Sequence, residues 1–495
     1  MKAIKGKSFF AGIHVRDRKS LACGQKTEVM PPPAEVYISL SQSLGKPAAI
    51  LVEKGQKVKE GELIAKADGA ISSNVFASVS GEVTDIKPLA GANGNTETYI
   101  VIKSDGTDEK AYLPPLTDPT ADDIKSRIKD CGIVGLGGAG FPAAVKVAPR
   151  TPVDTLILNG AECEPYLTCD HRLMLENTDE IARGARYIAK ALGVNKIIIG
   201  IEANKPDCIA AFEKFDDIQP VILKKQYPMG SEKHLIYVTT GRKVGIGKLP
   251  ADSGVVVQNV ATAFAVCEAV EKGKPLYERI LTVSGEAVKQ PKNLWVRVGT
   301  SVKSIVDYCG GESLPPKKVI QGGPMTGLAL ATYDVYTHKT TSGVLLLSEK
   351  EAAAEEPTPC LNCGMCADVC PMHLMPMQTA FYSAAGDFES AAKLGNTLAC
   401  IECGACEYTC PAKRPLIQAI RKTKAYIRSK VNPAPAVKPV DQKGKSAPIV
   451  PLTEDGKVEK PVQEVLEKIA DNKKGNLENV QIEENKVEET KKEEK

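Results

Sequence analysis

Two short cysteine runs constrain this chain more than any other feature of its sequence. One extends from Cys360 to Cys370 and the other from Cys400 to Cys410, and both have the spacing C-x2-C-x2-C-x3-C followed by Pro. This spacing is typical of bacterial modules that hold two [4Fe-4S] clusters, in which the fourth cysteine of each run ligates the other cluster. Zinc ribbons are the alternative, but they use pairs of cysteines rather than triplets.

Each cluster is therefore predicted to take three ligands from one run and one from the other. Helical stretches are predicted near residues 377–385 and 388–394, between the runs, which indicates the helical type of two-cluster ferredoxin rather than the compact hairpin type. The predicted ligands are Cys360, Cys363, Cys366 and Cys410 for the first cluster, and Cys400, Cys403, Cys406 and Cys370 for the second.

The remaining composition favours a multidomain protein of the reducing cytosol. A chain of 495 residues exceeds what one hydrophobic core supports, and its formal charge of +3 is too small for a dedicated nucleic-acid binder. We identify no secretory signal at the start and no apolar run of the roughly 18 residues that a membrane span needs.

The pattern along the chain predicts five regions. Short strands with frequent glycine turns begin it, and they resemble the biotinyl and lipoyl carriers, with Ala70 where those carriers place a modified lysine. Buried strands alternating with helices follow, which indicates a parallel α/β sheet. The predicted regions are a carrier-like β barrel-sandwich at 1–115, a Rossmann-like α/β domain at 116–273, a β-grasp module of SLBB type at 274–347, the ferredoxin domain at 348–430 and a disordered tail at 431–495.

A glycine-rich loop opens the α/β region. Closely spaced glycines let backbone amides approach a phosphate, and a following lysine supplies a countercharge. Three more polar segments, at residues 159–165, 230–232 and 258–262, come at predicted strand ends, where an α/β sheet binds its ligands. The loop contains Gly135, Gly137, Gly138 and Gly140, with Lys146 beyond it.

Together these segments resemble the flavin- and NADH-binding subunit of respiratory complex I. The matching motifs are GLGGAGFP, NGAECEP, MGSEKHL and VVVQNVAT. With the twin cluster motifs, the order of regions resembles the C subunit of the Rnf ion-translocating ferredoxin:NAD oxidoreductase over about residues 1–425. The resemblance implies an FMN pocket built by Gly135, Gly137, Gly138, Gly140, Lys146, Asn159, Glu162, Asn259 and Thr262, with Phe141, Glu164 and Glu232 on the side of the nicotinamide nucleotide.

A function follows from these parts. Nicotinamide nucleotides exchange hydride whereas a cubane accepts one electron, so a flavin must stand between them. The resemblance implies a peripheral NAD(H)-binding electron-transfer subunit on the cytoplasmic face of the bacterial membrane, with FMN and two [4Fe-4S] clusters. Its implied partners are integral membrane and flavoprotein subunits of the Rnf complex and, directly or through them, ferredoxin. The implied reaction is ferredoxin:NAD oxidoreduction coupled to Na+ or H+ transport.

Three alternatives stay open on the sequence. One is a soluble flavin and iron-sulfur cobalamin reductase, and another is the NADH-binding subunit of a hydrogenase or formate dehydrogenase. The third is an electron-relay adaptor that binds no nucleotide.

The segment after the second cysteine run predicts a basic amphipathic helix. Lysines and arginines between residues 413 and 430 flank Leu416, Ile417, Ile420 and Ile427 at helical spacing. Such a helix can lie on an anionic membrane or dock an acidic ferredoxin, or it can simply pack on its own domain.

Overall fold

The N-terminal segment joins sheets that are formed far downstream in the sequence. In the computed structural model, which describes residues 1–107, 109–352 and 356–431, strand β1 (Ile4–Lys5) pairs in parallel with residues 221–222, and strand β2 (Glu28–Val29) pairs with residues 294–295. The sequence analysis assigned the first 115 residues to a single β domain. The structure differs because the partners of these two strands are non-local, and no pattern near the N-terminus signals them.

A β sandwich follows, built from a four-stranded sheet in the order β3-β9-β8-β5 and a three-stranded sheet in the order β4-β6-β7. Its core consists of buried valine, isoleucine and alanine side chains between the two sheets. Ala70 lies exposed in the loop between β6 and β7, at the tip where the carriers place their lysine. The strands are β3 (Glu35–Ser39), β4 (Ala49–Ile50), β5 (Lys57–Val58), β6 (Leu63–Lys66), β7 (Val75–Phe76), β8 (Gly81–Ala90) and β9 (Thr96–Ser104).

The α/β region has the parallel sheet that the sequence predicts. β-branched runs such as residues 197–199 form its strands, because these side chains pack well in a sheet that helices cover on both faces. The elements in chain order are α1 (Ala121–Asp130), α2 (Ala143–Lys146), β10 (Thr155–Gly160), α3 (Cys169–Glu176), α4 (Thr178–Leu192), β11 (Lys196–Glu202), α5 (Pro206–Phe212), β12 (Ile218–Leu223), α6 (Glu232–Thr240), β13 (Val255–Asn259) and α7 (Val260–Lys272). The strand order is β1-β12-β11-β10-β13, and every pair is parallel.

A six-stranded mixed sheet covers the next stretch. The sequence predicts strands here, and the structure adds the N-terminal β2 at one edge of the sheet. The elements are β14 (Glu278–Ser284), β15 (Lys292–Arg297), α8 (Val302–Tyr308), β16 (Lys318–Gln321), β17 (Leu328–Leu330), β18 (Gly343–Leu347) and the short α9 (Glu349–Ala352), and the strand order is β17-β16-β18-β14-β15-β2.

The cysteine module is helical, as predicted. Each run contributes one short helix, and the two helices predicted between the runs are found at residues 376–384 and 388–394. The helices are α10 (Met365–Asp368), α11 (Pro376–Ala384), α12 (Phe388–Leu394), α13 (Ala405–Thr409) and α14 (Leu416–Val431). Apart from residue 431, the predicted tail lies outside the described residues. In the part of the chain that the structure describes, no helix has the length and apolar character needed to cross a membrane.

Candidate functional site

The carboxyl edge of the parallel sheet brings two asparagines side by side. Asn159 is the second-to-last residue of β10 and Asn259 is the last residue of β13, and the two are register partners in adjacent strands. The Asn259 side chain caps α7 by accepting a hydrogen bond from the Ala261 amide at 2.8 Å. The Asn159 amide group donates to the carbonyl oxygen of Gly230 at 2.8 Å, which draws the segment before α6 to the same edge. The three polar segments predicted at strand ends, at residues 159–165, 230–232 and 258–262, therefore meet here.

The glycine loop closes over these asparagines. A side chain at Gly137 would overlap the amide of Asn259 at 2.8 Å, whereas nothing lies within 4 Å of the position that a Cβ of Gly138 would take. The Leu136 amide donates to the Thr262 hydroxyl at 3.0 Å, so the loop is tied to the first turn of α7. Residues 137–139 are exposed. An open, amide-rich cradle of this kind fits a phosphate group.

Lys146 lies at the same edge, at the end of the short helix α2. Its ammonium group forms an ion pair with Glu232 at 2.7 Å and donates to the carbonyl oxygen of Val257 at 3.2 Å. Phe141 is half-buried next to the loop, and its carbonyl oxygen accepts a hydrogen bond from the Gly135 amide at 2.9 Å. The loop, its lysine and the first residue of α6 thus form one contiguous surface.

Two buried carboxylates lie behind the asparagines. Asp170 accepts a hydrogen bond from the Asn259 side chain at 2.7 Å, and its own amide donates to Glu162 at 2.7 Å. Burial, followed by the negative charge of Glu162, raises the pKa of Asp170 to about 6. The second oxygen of Glu162 is buried without a hydrogen-bond partner. Two carboxyl groups are therefore buried directly beneath the predicted pocket, and Asp170 holds its proton more tightly than an ordinary aspartate does.

Two buried lysines compensate part of that charge. Lys19, from the N-terminal segment, lies 3.5 Å from Glu162 and donates to the carbonyl oxygens of Glu164 and Leu167. Lys205 donates to the carbonyl oxygen of Ala161 at 2.6 Å, and burial together with the nearby charge of Lys19 lowers its pKa. The two cations hold the turn that follows β10.

Glu164 points away from the glycine loop. Its carboxylate accepts hydrogen bonds from the Met325 amide at 3.0 Å and from the Thr326 hydroxyl, both in the turn after β16. Burial raises the pKa of Glu164. The structure thus brings the glycine loop, Lys146, Glu232, the two asparagines and Thr262 to one edge, whereas Glu162 is buried behind the asparagines and Glu164 is directed toward the β-grasp region.

Sequence reasoning missed Asp170, Lys19 and Lys205. Asp170 comes six residues after Glu164, at the start of α3, so a search of the whole NGAECEP segment and the helix after it could have found it. Lys19 and Lys205 reach the site only through tertiary packing, and no spacing in the sequence connects them with it.

Four of the eight cluster cysteines surround one apolar cavity. We call Cys370, Cys400, Cys403 and Cys406 the inner set, because two of them are buried and two are half-buried. The cavity is also lined by Leu374, Ile417 and Ile420. Backbone amides of Leu374 and Glu402 donate to the sulfurs of Cys370 and Cys400 at 3.4 and 3.3 Å. Convergent thiols in an apolar pocket with N–H···S bonds fit a cubane cluster.

The other four cysteines lie nearer the surface. We call Cys360, Cys363, Cys366 and Cys410 the outer set, because the first two are exposed and the last two are half-buried. Cys366 and Cys410 both pack against the start of α14, and the Thr358 amide binds the carbonyl oxygen of Ala412, which brings the first run beside the end of the second. The two sets coincide with the predicted ligand sets, and the ligand assignment stays a prediction.

The cysteine module packs directly on the α/β region. The Tyr227 hydroxyl donates to the carbonyl oxygen of Cys403 at 2.7 Å, and a ring nitrogen of His234 lies 3.0 Å from the carbonyl oxygen of Pro371. The N-terminal segment contributes a third tie, from the Gly12 amide to the carbonyl oxygen of Val369 at 3.0 Å. These contacts hold the end of the first cysteine run and the middle of the second against α6, the segment before it and the N-terminal segment.

The basic helix is α14, and it packs on its own module. Leu416 and Ile420 are buried beside the inner set, while Lys424 donates to the carbonyl oxygen of Cys400 at 2.6 Å. Arg421 and Lys424 both pair with Glu402. Of the three roles predicted for this helix, these contacts favour packing on its own domain.

Family models match four regions of the chain. They are described as the RnfC barrel sandwich hybrid domain over residues 7–107, the Nuo51 FMN-binding domain over residues 128–268, the SLBB domain over residues 280–329 and the 4Fe-4S dicluster domain over residues 359–414. These matches confirm the predicted class of each region.

Curated relatives match most of the chain. The C subunit of the proton-translocating ferredoxin:NAD(+) oxidoreductase complex of Clostridium ljungdahlii is 44% identical over 86% of this chain and 94% of its own length. The C subunit of the Na(+)-translocating complex of Acetobacterium woodii is 42% identical over 86% and 98%. The C subunit of the ion-translocating oxidoreductase complex of Rhodobacter capsulatus is 42% identical over 78% and 77%.

Proposed function

This chain belongs to the RnfC family, the C subunits of the ion-translocating ferredoxin:NAD(+) oxidoreductase (Rnf) complexes, and from that premise we propose that it exchanges electrons between NAD(H) and one-electron partners in such a complex. Its FMN-binding and 4Fe-4S dicluster domains are the parts that this reaction requires. The observation that carries the proposal is the convergence of the polar strand-end segments at one sheet edge, with the cysteine module packed beside it.

The open glycine loop is the proposed cradle for the FMN phosphate. Residues 137–139 are exposed and Gly138 has free space around it, so amides there can approach an anion closely. Lys146 supplies a positive charge at the same edge. Asn159, Asn259, Thr262 and Glu162 would complete the pocket. FMN, when bound, accepts a hydride and passes its two electrons on singly.

The nicotinamide nucleotide is proposed to enter over Phe141 and the ion pair of Lys146 with Glu232. Phe141 offers a half-buried aromatic face next to the loop, and Glu232 offers a carboxylate that can accept hydrogen bonds from ribose hydroxyls. Glu164, the third residue predicted for the nicotinamide side, is held instead by the turn after β16 and takes no part in this proposed entry.

We place the protein at the cytoplasmic face of the membrane as a peripheral subunit, since NAD(H) is a cytoplasmic nucleotide and the family is that of an ion-translocating complex. Integral membrane and flavoprotein subunits of the complex are its proposed neighbours, and ferredoxin is the proposed partner at the other end of the reaction, directly or through them. The cobalamin reductase, hydrogenase and relay-adaptor alternatives have no support among the relatives described above.

Anaerobic reconstitution tests this proposal. The purified chain is loaded with iron, sulfide and FMN and titrated with NADH, while flavin absorbance and cluster EPR are recorded. We expect about eight irons per chain, flavin bleaching and reduced-cluster signals. Full iron loading without flavin retention or any response to NADH would contradict the proposal and support the relay adaptor.

A further inference from the structure

The two cysteine sets have different surroundings. The inner set lines a cavity shared with Leu374, Ile417 and Ile420, and Cys370 and Cys406 are each only 7% exposed. In the outer set, Cys360 and Cys363 are exposed. Since each set has four cysteines, this difference comes from the packing of the module's own helices around the inner set.

One contact path connects the inner set with the nucleotide edge through Tyr227. Cys163, which stands between Glu162 and Glu164, accepts a hydrogen bond from the Gly230 amide at 3.3 Å and so belongs to that edge. Cys163, Tyr227 and Cys403 pack in one apolar cluster. The Tyr227 hydroxyl then donates to the carbonyl oxygen of Cys403 at 2.7 Å.

A second path uses the β-grasp region. Glu164 accepts a hydrogen bond from the Met325 amide, and the Met325 carbonyl oxygen lies 3.0 Å from where a Cβ of Gly404 would stand. Gly404 follows Cys403 directly in the second run. Both paths therefore lead from the predicted nucleotide site to the same loop of the inner set.

The outer set faces solvent with large apolar side chains around it. Leu361 and Met365, which lie within the first cysteine run, are 65% and 43% exposed, and Tyr408 near Cys410 is 56% exposed. We call these three residues the exit face. Exposed apolar side chains in the same runs as exposed predicted cluster ligands suit a partner that must bring its own redox centre close to this set and then leave again.

We propose, building on the proposed function, that the two sets work in a fixed order, with the inner set exchanging electrons with the nucleotide site and the outer set exchanging them with a one-electron redox protein on the exit face. In the oxidative direction NADH gives NAD+, one proton and two electrons. Each electron would pass from the nucleotide site to the cluster held by the inner set and then to the cluster held by the outer set, so that two partner molecules would each be reduced by one electron. When NAD+ is reduced, electrons enter at the outer set and leave through the inner set.

A matched pair of ligand variants tests the order, because Cys363 and Cys403 hold the same position in their runs. Both are substituted by alanine in the full chain, and NADH-dependent cluster reduction is followed by freeze-quench EPR. We expect Cys363→Ala to retain about four irons that NADH still reduces at the wild-type rate. We expect Cys403→Ala to retain an outer cluster that dithionite reduces, with its reduction by NADH at least tenfold slower. The opposite pattern overturns the order.

Wild-type protein gives a second measurement if either variant loses both clusters. A water-soluble dysprosium chelate enhances the EPR relaxation of clusters near the surface. We expect the chelate to enhance the relaxation of one reduced-cluster signal at least threefold more than that of the other, and this signal should be the one that NADH reduces later. Equal enhancement of both signals, or stronger enhancement of the signal that NADH reduces first, overturns the proposed order.

The exit face is tested with photoreduced bacterial two-cluster ferredoxin as the electron donor. Leu361→Lys combined with Met365→Lys should slow the second-order reduction of the clusters at least tenfold, whereas Phe381→Lys, at a residue that is 70% exposed on α11, should leave it unchanged. Equal rates in wild type and both variants overturn the exit face. Flavin bleaching by NADH is recorded in every sample. Its loss in wild type would refute the proposed function, whereas its persistence with an altered order would refute only this inference.

Discussion

The nucleotide edge and the cysteine module differ in how far apart in the sequence their site residues lie. Each cysteine set comes from two runs of eleven residues, and the spacing within a run already brings three thiols together. The nucleotide edge instead combines the glycine loop, the ends of two strands, the start of α6 and a lysine from the N-terminal segment. A local motif determines the first site, and tertiary packing determines the second.

The difference also concerns charge. The inner set lies among apolar side chains, with one buried lysine nearby. The nucleotide edge buries Glu162 and Asp170 close to Lys19 and Lys205, at separations where a low effective dielectric makes each charge strongly felt. Substitutions at the edge should therefore act through packing and protonation, whereas substitutions around the cysteines should act mainly on cluster potential.

The glycine loop should give the largest effect. Gly138→Ala adds a methyl group that meets no protein atom within 4 Å, so the variant protein should fold as the wild type does. If backbone amides of this loop hold the FMN phosphate, the added methyl group should displace the phosphate. The loss of one or two charged hydrogen bonds to the phosphate should weaken FMN binding by roughly 100-fold. Fluorescence titration of the deflavinated chain with FMN measures the affinity.

The neighbouring glycine serves as the comparison. Gly137→Ala would meet the Asn259 side chain at 2.8 Å, so it should weaken FMN binding and also lower the melting temperature. A Gly138→Ala chain that binds FMN as tightly as wild type would show that the phosphate lies elsewhere.

Asp170 should make stability depend on pH. Folding raises the pKa of this carboxyl to about 6, chiefly by burial, so the folded chain holds the proton more tightly than the unfolded chain does. The resulting stabilisation is complete below the ordinary pKa of aspartate and is lost as the pH rises through 6. Between pH 5 and pH 7.5 the loss amounts to roughly 1 kcal/mol. Asp170→Asn can still accept the hydrogen bond from Asn259 and should lack this pH-dependent loss.

Trp295 is a suitable reporter for that measurement. It is the only tryptophan, and its ring packs against Phe264 of α7 at 5.4 Å between centroids. Urea unfolding followed by its fluorescence at both pH values gives the difference for wild type and variant. Asp179→Asn, on the surface of α4 beside Lys214, is the control and should keep the wild-type slope. Parallel pH profiles in all three proteins would show that Asp170 is ionised in the folded chain across this range.

The features that could be predicted from the sequence are those set by local patterns, and the features that were missed depend on tertiary packing. The alternation of buried strands with helices in the α/β region and the two helices between the cysteine runs were predicted because their patterns are local. The pairing of β1 and β2 with other sheets was not predicted, because their partners lie far downstream in the sequence. A two-residue strand carries no periodicity from which its partner could be inferred.

At the nucleotide edge, the predicted residues lie in short motifs next to the end of a predicted strand, and the residues that were missed do not. Asn159 and Asn259 could be predicted because each is one of the last two residues of a buried strand. Lys19 could not, because its proximity to Glu162 depends on how the N-terminal segment wraps the finished domain. The turn around Met325 was missed for the same reason, although it holds Glu164.

The smallest expected effect is a change in the midpoint potential of the inner cluster when a nearby positive charge is removed. Lys424 is buried and donates to the carbonyl oxygen of Cys400, so its positive charge stabilises the more negative, reduced state of an inner cluster. Lys424→Met should lower the midpoint potential of that cluster by about 30 mV, equivalent to roughly 0.7 kcal/mol for one electron. Lys422→Met, exposed on the same helix over Phe388, should leave both potentials unchanged. An EPR-monitored redox titration that shows the outer cluster shifting instead would mean that Cys400 ligates the outer cluster, because a charge acts most strongly on the centre nearest to it.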